Sequence, residues 1–257
     1  MCTLKELFDL SGRIALVTGS GGGLGLVMAR GLASYGAKVI LHGRNREKVK
    51  TAAAELAEEG FVVGSCTFDV ANSSAVEEGV KAISKQHGPI DILVNNAGIQ
   101  QRGPLEEFPE DDWDNIISTN LKAPWLLAKA VAGDMIKMKR GKIINICSIQ
   151  SELGRPTIAP YAASKGGLKM LTRGMAVEWA KHNTQVNGIG PGYFKTDMTR
   201  ALYEDPEFDR WLCSRTPSNR WGNPEELIGA LVFLASAASS YVNGQIIYVD
   251  GGLLVSV

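Results

Sequence analysis

Between residues 13 and 35 a short apolar run, Arg13-Ile-Ala-Leu-Val-Thr18, leads straight into Gly19-Ser-Gly-Gly-Gly-Leu-Gly25, and helical periodicity follows over residues 26–35. No other feature of the chain limits its fold so tightly. Strand, glycine turn and helix in that order form a phosphate-binding unit, because bare backbone admits a pyrophosphate and the helix N-terminus presents unpaired N–H groups. The spacing, Thr18-Gly19-x-x-x-Gly23-x-Gly25, departs from the commonest dinucleotide fingerprint. It carries two further glycines, Gly21 and Gly22.

The rest of the chain keeps alternating. Apolar runs at residues 38–42, 61–70, 90–95, 141–147, 185–189 and 245–249 read as strands, each preceded by a helical or turn segment. At 257 residues, with no repeat, low-complexity tract or linker, the chain reads as one domain. The predicted fold class is α/β: a single-domain Rossmann fold over residues 1–257, a doubly wound parallel sheet with helices on both faces. Ligands in such folds bind beyond the C-terminal strand ends. Asp69, the run Asn95-Asn96-Ala97-Gly98, Ser148 and the pair Pro191-Gly192 all fall at such ends and are expected to meet in one crevice.

The second strand ends in Gly43-Arg44-Asn45-Arg46. An acidic residue here would bond the ribose 2′-hydroxyl of NAD, whereas an arginine accommodates the 2′-phosphate of NADP. Arg44 occupies the strand end and no acid does, so NADP(H) is favoured over NAD(H). Arg46 reads more simply as a solvated loop residue.

A proton-transfer device stands further along. Tyr161 and Lys165 are four residues apart in Pro160-Tyr-Ala-Ala-Ser-Lys-Gly166, and Ser148 lies upstream at a strand end. A helix puts i and i+4 on one face. A free tyrosine, with a pKa of about 10, is a poor base at neutral pH, and a neighbouring ammonium is expected to lower that value. The serine hydroxyl can then bond the oxygen that gains or loses the proton.

Composition removes several other classes. Lys and Arg total 27 and Asp and Glu total 27, so no net charge draws the chain to nucleic acid or an anionic membrane. The locally positive stretch 137–140 reads as a helix end. The first ten residues contain acids and lack the apolar centre of a signal peptide, and no apolar stretch is long enough for a bilayer. A cytoplasmic location is expected. Cys2, Cys66, Cys147 and Cys213 are scattered and read as reduced thiols. His42, His87 and His182 show no ligand spacing, so no metal site is expected.

Taken together, the glycine turn, Asp69, Asn95-Asn96-Ala97-Gly98, Asn120, Ser148, Tyr161-x-x-x-Lys165 and Pro191-Gly192 resemble the short-chain dehydrogenase/reductase family along nearly the whole chain. The resemblance implies a catalytic tetrad of Asn120, Ser148, Tyr161 and Lys165, with Asn120 holding a water behind Lys165. It further implies a cofactor site at Gly19, Ser20, Gly23, Leu24, Gly25 and Arg44. Asp69 and Val70 would lie by the adenine, and Asn96, Ala97 and Gly98 would line the nucleotide. Tyr161 and Lys165 would reach its nicotinamide half, with Pro191, Gly192 and Thr196 around that end. Residues 145–155, 160–166, 188–196 and 211–217, with the ending Val249-Asp-Gly-Gly-Leu-Leu-Val, look like the gluconate 5-dehydrogenase branch of the family. That likeness implies NADP(H)-linked hydride transfer at C5 of gluconate with Tyr161 as acid and base; a sugar acid needs a cation and hydroxyl partners, which Arg102, Ser148, Gln150 and Arg155 are placed in sequence to supply. A dehydrogenase for another sugar acid or polyol, a 3-oxoacyl-carrier-protein reductase and a nucleotide-sensing regulator are the competing readings. The family also implies a homotetramer with interfaces at residues 159–181 and 244–257. Residues 193–221, rich in aromatic side chains, read as an insertion over the crevice that could close as a lid.

Overall fold

The computed structural model describes residues 6–256, so Cys2 and Val257 lie outside the described residues. The strands are β1 (Ile14–Val17), β2 (Lys38–Gly43), β3 (Val63–Thr67), β4 (Ile92–Asn95), β5 (Gly141–Ile146), β6 (Thr184–Pro191) and β7 (Ile246–Val249). They pair in parallel in the order β3-β2-β1-β4-β5-β6-β7. Every predicted strand is present. β3 is shorter than residues 61–70 because the Asp69 carboxylate accepts the Ala71 N–H at 2.9 Å, turning the chain, and Asn72 then caps the next helix. β6 runs longer than predicted, to Pro191, because it stays paired to β7 as far as Val249.

Parallel strands must return through a crossover, and helices supply it here. They are α1 (Gly23–Ser34), α2 (Arg46–Glu58), α3 (Ser73–His87), α4 (Glu110–Ile117), α5 (Ala123–Met138), α6 (Ala159–Trp179), α7 (Arg200–Tyr203), α8 (Pro206–Arg215) and α9 (Ile228–Ala235). The pleat sends alternate side chains to opposite faces. Leu16, Ile40, Leu93, Ile143 and Val186 stand in register across five strands and form one row, packed with α3, α5 and α6. Their neighbours Val17, Leu41, Val94 and Ile144 point the other way, into a second core with α1, α2 and α9. This is the two-faced core that the alternation predicts. Among the described residues no helix is long and apolar enough to cross a membrane.

Residues 193–221 form a third, smaller cluster above the sheet edge. Leu212 and Trp221 are buried there with Ile149 and Leu253, and Tyr193, Tyr203 and Phe208 pack around them. The Trp221 indole N–H donates to Asp209 at 2.7 Å, so the segment is held by its own bonds as well as by packing.

Candidate active site

β1 is flanked by β2 on one side and β4 on the other, so the chain leaves β1 and β4 in opposite directions. A crevice opens where the strand order reverses. A cleft of about 630 Å³ fills it. Its wall contains most of the predicted residues: Gly19, Gly23, Leu24, Gly25, Arg44, Asn96, Ala97, Gly98, Arg102, Ser148, Gln150, Arg155, Tyr161, Lys165, Pro191, Gly192 and Thr196. Residues from all along the chain therefore share one cavity.

The glycine turn is built for close approach. A Cβ on Gly25 would sit 2.3 Å from the Gly19 carbonyl oxygen, a distance no side chain tolerates, and Gly23 has φ +55°. Gly22, at the head of α1, offers no side-chain cap, so the first N–H groups of the helix remain available to an anion. The turn is bolted to the end of β4. The Thr18 hydroxyl accepts the N–H groups of Asn96 and Ala97, both at 3.0 Å, while the Asn96 amide donates to the carbonyls of Thr18 (2.8 Å) and Gly19 (3.1 Å). The bare backbone, free helix N-terminus and elongated cleft fit the pyrophosphate of a dinucleotide.

Three predicted cofactor residues have side chains that are engaged away from the cleft. Ser20 is fully buried and its hydroxyl is committed internally, donating to the Val17 carbonyl at 2.7 Å and accepting the His42 N–H at 2.9 Å. Its side chain is therefore scaffold beneath the turn. Val70 is buried in the core with α3, and the Asp69 carboxylate makes the turn described above, outside the cleft wall. His42, which the sequence left without a role, sits beneath the glycine turn. Burial pushes its pKa down to about 4, and the neutral ring joins the Phe68 carbonyl at 3.0 Å and Gly19 N–H at 3.5 Å.

At the other end of the cleft, Ser148 heads a short turn, Ile149–Ser151, and its oxygen accepts the Gln150 N–H at 3.1 Å. Ser151 holds that turn to the helix behind it, accepting from Ser148 N–H and donating to the Lys165 carbonyl. Tyr161 and Lys165 project from α6. Asn120 lies in a widened π-type turn, Ser118–Lys122, between α4 and α5. Its amide donates to the Ile99 carbonyl (2.9 Å) and Ser164 hydroxyl (3.1 Å), and its oxygen accepts the Ile99 N–H (2.8 Å). A Cβ on Gly98 would meet Asn120 Oδ1 at 3.3 Å and Lys165 Nζ at 3.6 Å, so both side chains reach toward that glycine.

The electrostatics differ from the simple expectation for Tyr161. Burial raises its pKa above the free value, and the Ser148 hydrogen bond pulls in the opposite direction without reversing the shift. The reason is geometric. The helix stacks the two residues, but Lys165 Nζ lies 5.7 Å from the centre of the Tyr161 ring and donates instead to the Ile146 carbonyl at 2.7 Å. Burial also brings Lys165 down to about 8, which leaves it cationic at neutral pH. Cys147, next to Ser148, is buried and its thiol is pushed up to about 11, so it is no nucleophile.

Between these ends lies the remaining wall. The Gln150 side-chain oxygen is buried with no hydrogen-bond partner, although Gln150 lines the cleft. Arg102 is exposed on the loop after β4. Arg155 donates to the Tyr193 hydroxyl at 3.0 Å and lies over the rings of Phe208 (4.9 Å) and Trp211 (5.8 Å), which ties residues 193–221 to the Ser148 segment. Lys48 is a wall residue that sequence reasoning missed; its position four after Arg44, on the first turns of α2, was the available signal. Among the described residues no three His, Cys, Asp or Glu side chains gather as a metal group.

Comparison with known proteins agrees with this geometry. The chain is 57% identical over 251 residues to gluconate 5-dehydrogenase of Gluconobacter oxydans (strain 621H), covering 98% of each protein. It is 54% identical over 254 residues to 5-keto-D-gluconate 5-reductase of Escherichia coli (strain K12), covering 99% of this chain and all of the relative. A crystal structure of a gluconate 5-dehydrogenase from Burkholderia cenocepacia J2315, in complex with NADP and tartrate, superposes with a TM-score of 0.97 at 52% identity, over 99% of this chain and 100% of that one. Residues 13–207 match the family model for short chain dehydrogenase. With the glycine turn, the parallel sheet and the Ser148, Tyr161 and Lys165 cluster already in one cleft, the match places this chain in the short-chain dehydrogenase family.

Proposed function

We propose that this protein is an NADP(H)-dependent oxidoreductase that interconverts D-gluconate and 5-dehydro-D-gluconate. The observation that carries the reading is the convergence of the Ser148, Tyr161 and Lys165 cluster with the glycine turn in a single cleft. The names of the full-length relatives supply the substrate, and the NADP complex of one solved relative supports the cofactor. When bound, the nicotinamide supplies or accepts the hydride, and the protein contributes position and electrostatics.

The roles of the chain's own groups follow from their protonation. A phenol whose pKa is raised by burial is protonated at neutral pH, which is the form that reduction of a ketone uses. Tyr161 donates its proton to the carbonyl oxygen at C5, and the Ser148 hydroxyl hydrogen-bonds the same oxygen as charge develops there. The Lys165 ammonium steadies the phenolate left behind. Asn120, its amide engaged by Ile99 and Ser164, fixes the segment that closes behind Lys165. Oxidation reverses these steps. On the substrate side, the unpartnered Gln150 oxygen suits a sugar hydroxyl, and Arg102 offers a cation for the carboxylate. Residues 193–221 serve as the lid in this reading, supported by their packing over the Ser148 turn.

The proposal extends to assembly and location. Met170 and Val177, exposed on the outer side of α6, support a homotetramer whose interface includes that helix. The unpaired thiols of Cys66, Cys147 and Cys213 support the reducing environment of the cytoplasm. The catalytic test is the initial rate of absorbance change at 340 nm with 5-dehydrogluconate and either NADPH or NADH, alongside other keto acids and an acetoacetyl thioester. NADPH oxidation confined to 5-dehydrogluconate, with Tyr161→Phe losing on the order of 10²- to 10⁴-fold in turnover while still binding NADPH, is the expected result. A faster thioester or a different sugar acid would overturn the substrate, and near wild-type turnover in Tyr161→Phe would overturn the mechanism.

A further inference from the structure

We infer that Lys48 is a second cation for the 2′-phosphate of NADP(H), its side chain lying across the glycine turn with the ammonium against bare Gly22. The inference rests on the NADP(H) reading above. The glycine turn needs Gly23 and Gly25 for its own geometry, but Gly22 has φ 167°, extended backbone that any residue adopts, so its lack of a side chain has no conformational cause. The cause is a neighbour. A Cβ on Gly22 would meet Lys48 Cε at 3.2 Å and Nζ at 3.3 Å, while one on Gly21 would meet Val49 Cγ2 at 3.3 Å and stand in ordinary contact with Lys48 Cγ at 3.5 Å. The lysine stem thus runs along the two glycines and sets its ammonium over the second of them. Asn45 fixes the origin of that stem, because its side chain caps α2 by accepting the Lys48 N–H at 3.0 Å.

Charge and position point to a phosphate. Lys48 and Arg44 line the same end of the cleft, and neither makes an ion pair among the described residues; the nearby acid Glu47 faces Lys50 instead. Two cations four residues apart in sequence, one just after β2 and one in the first turn of α2, flank the strand end where the adenosine ribose is read. Tyr161 and Ser148 line the other end of the cleft. A lysine ammonium binds phosphate as a point charge, whereas the Arg44 guanidinium supplies a planar fork, so the two recognise different edges of one dianion. Either cation alone would leave part of that dianion to water.

The test is the dissociation constant of NADPH and of NADH, measured by nucleotide fluorescence titration on wild type, Lys48→Met, Lys48→Arg and Arg44→Ala, with circular dichroism melts to confirm folding. Loss of one charge contact to a phosphate is expected to weaken NADPH on the order of tenfold and NADH less than about twofold, with Lys48→Arg close to wild type. Higher salt should narrow the gap between wild type and Lys48→Met. Equal weakening of both nucleotides would assign Lys48 to the pyrophosphate and overturn the inference, as would an unchanged NADPH constant. If Arg44→Ala lowers the NADPH preference and Lys48→Met does not, only Lys48 is misassigned. If wild type shows no preference for NADPH, the underlying cofactor reading falls as well.

Discussion

Replacing Gly25 by alanine adds one methyl group where the structure has no room for it. Its Cβ would lie 2.3 Å from the Gly19 carbonyl oxygen and 2.5 Å from Asn96 Nδ2, and neither can yield cheaply. The carbonyl belongs to a turn fixed to β4, and Asn96 Nδ2 is the donor that fixes it. α1 is pushed away from β1, loosening the core around Met28, Ala29 and Leu32, and both Asn96 bonds are lost. Overpacking costs about 1–3 kcal/mol and each hydrogen bond about 1 kcal/mol, against which the stiffer unfolded chain returns about 0.5 kcal/mol. The net loss is about 2.5–4.5 kcal/mol, which for a chain of this length lowers Tm by roughly 5–18 °C. The same shift displaces the N–H groups at the head of α1, so NADPH binding should weaken by on the order of tenfold or more. Differential scanning calorimetry and nucleotide titration on Gly25→Ala measure both quantities. A Tm within about 2 °C of wild type together with unchanged affinity would refute the close-approach argument.

Two other perturbations test separate parts of the site. His42 has its folded-state pKa pushed from 6.5 down to about 4 by burial, so between those values the unfolded chain binds a proton that the native protein does not. Stability should therefore fall as pH drops from about 6.5 to about 4, by up to about 3 kcal/mol from this group. The corresponding NMR observation is an imidazole that stays neutral at pH 5, and titration near 6.5 would contradict it. Arg155→Ala removes the bond to Tyr193 and the contacts with Phe208 and Trp211, worth about 2 kcal/mol together. Amide exchange should then quicken by about thirtyfold within residues 193–221 and remain unchanged in the central strands. Unaltered exchange in that segment would show that Arg155 does not hold it.

What was legible in the chain was what depends on neighbours along it. The glycine turn announced itself because a strand, bare backbone and a helix are contiguous, and the seven strands because a buried parallel strand must be a short apolar run. Boundaries drifted where side-chain caps decide them, as at the end of β3, where Asp69 and Asn72 turn the chain before its apolar character ends. Tyr161, Lys165 and Ser148 were recognisable as a proton-transfer group because helical spacing and a strand end bring them close whatever the rest of the chain does.

Direction and environment were another matter, since both depend on groups remote in sequence. Sequence spacing put Lys165 beside Tyr161, but only the folded chain showed its ammonium turned to the Ile146 carbonyl, leaving burial to raise the phenol pKa. Ser20 and Val70 stand at the positions the family pattern gives to the nucleotide, yet packing sends the one beneath the turn and the other into the core. Lys48 reached the cleft only because α2 returns alongside the glycine turn. By itself, then, the sequence determined the order of strands and helices, the glycine turn and the candidate reacting side chains, all products of local spacing and hydrophobic pattern. The tertiary structure alone decided which way those side chains point and how strongly burial shifts their protons, because both follow from contacts between segments that the chain order keeps apart.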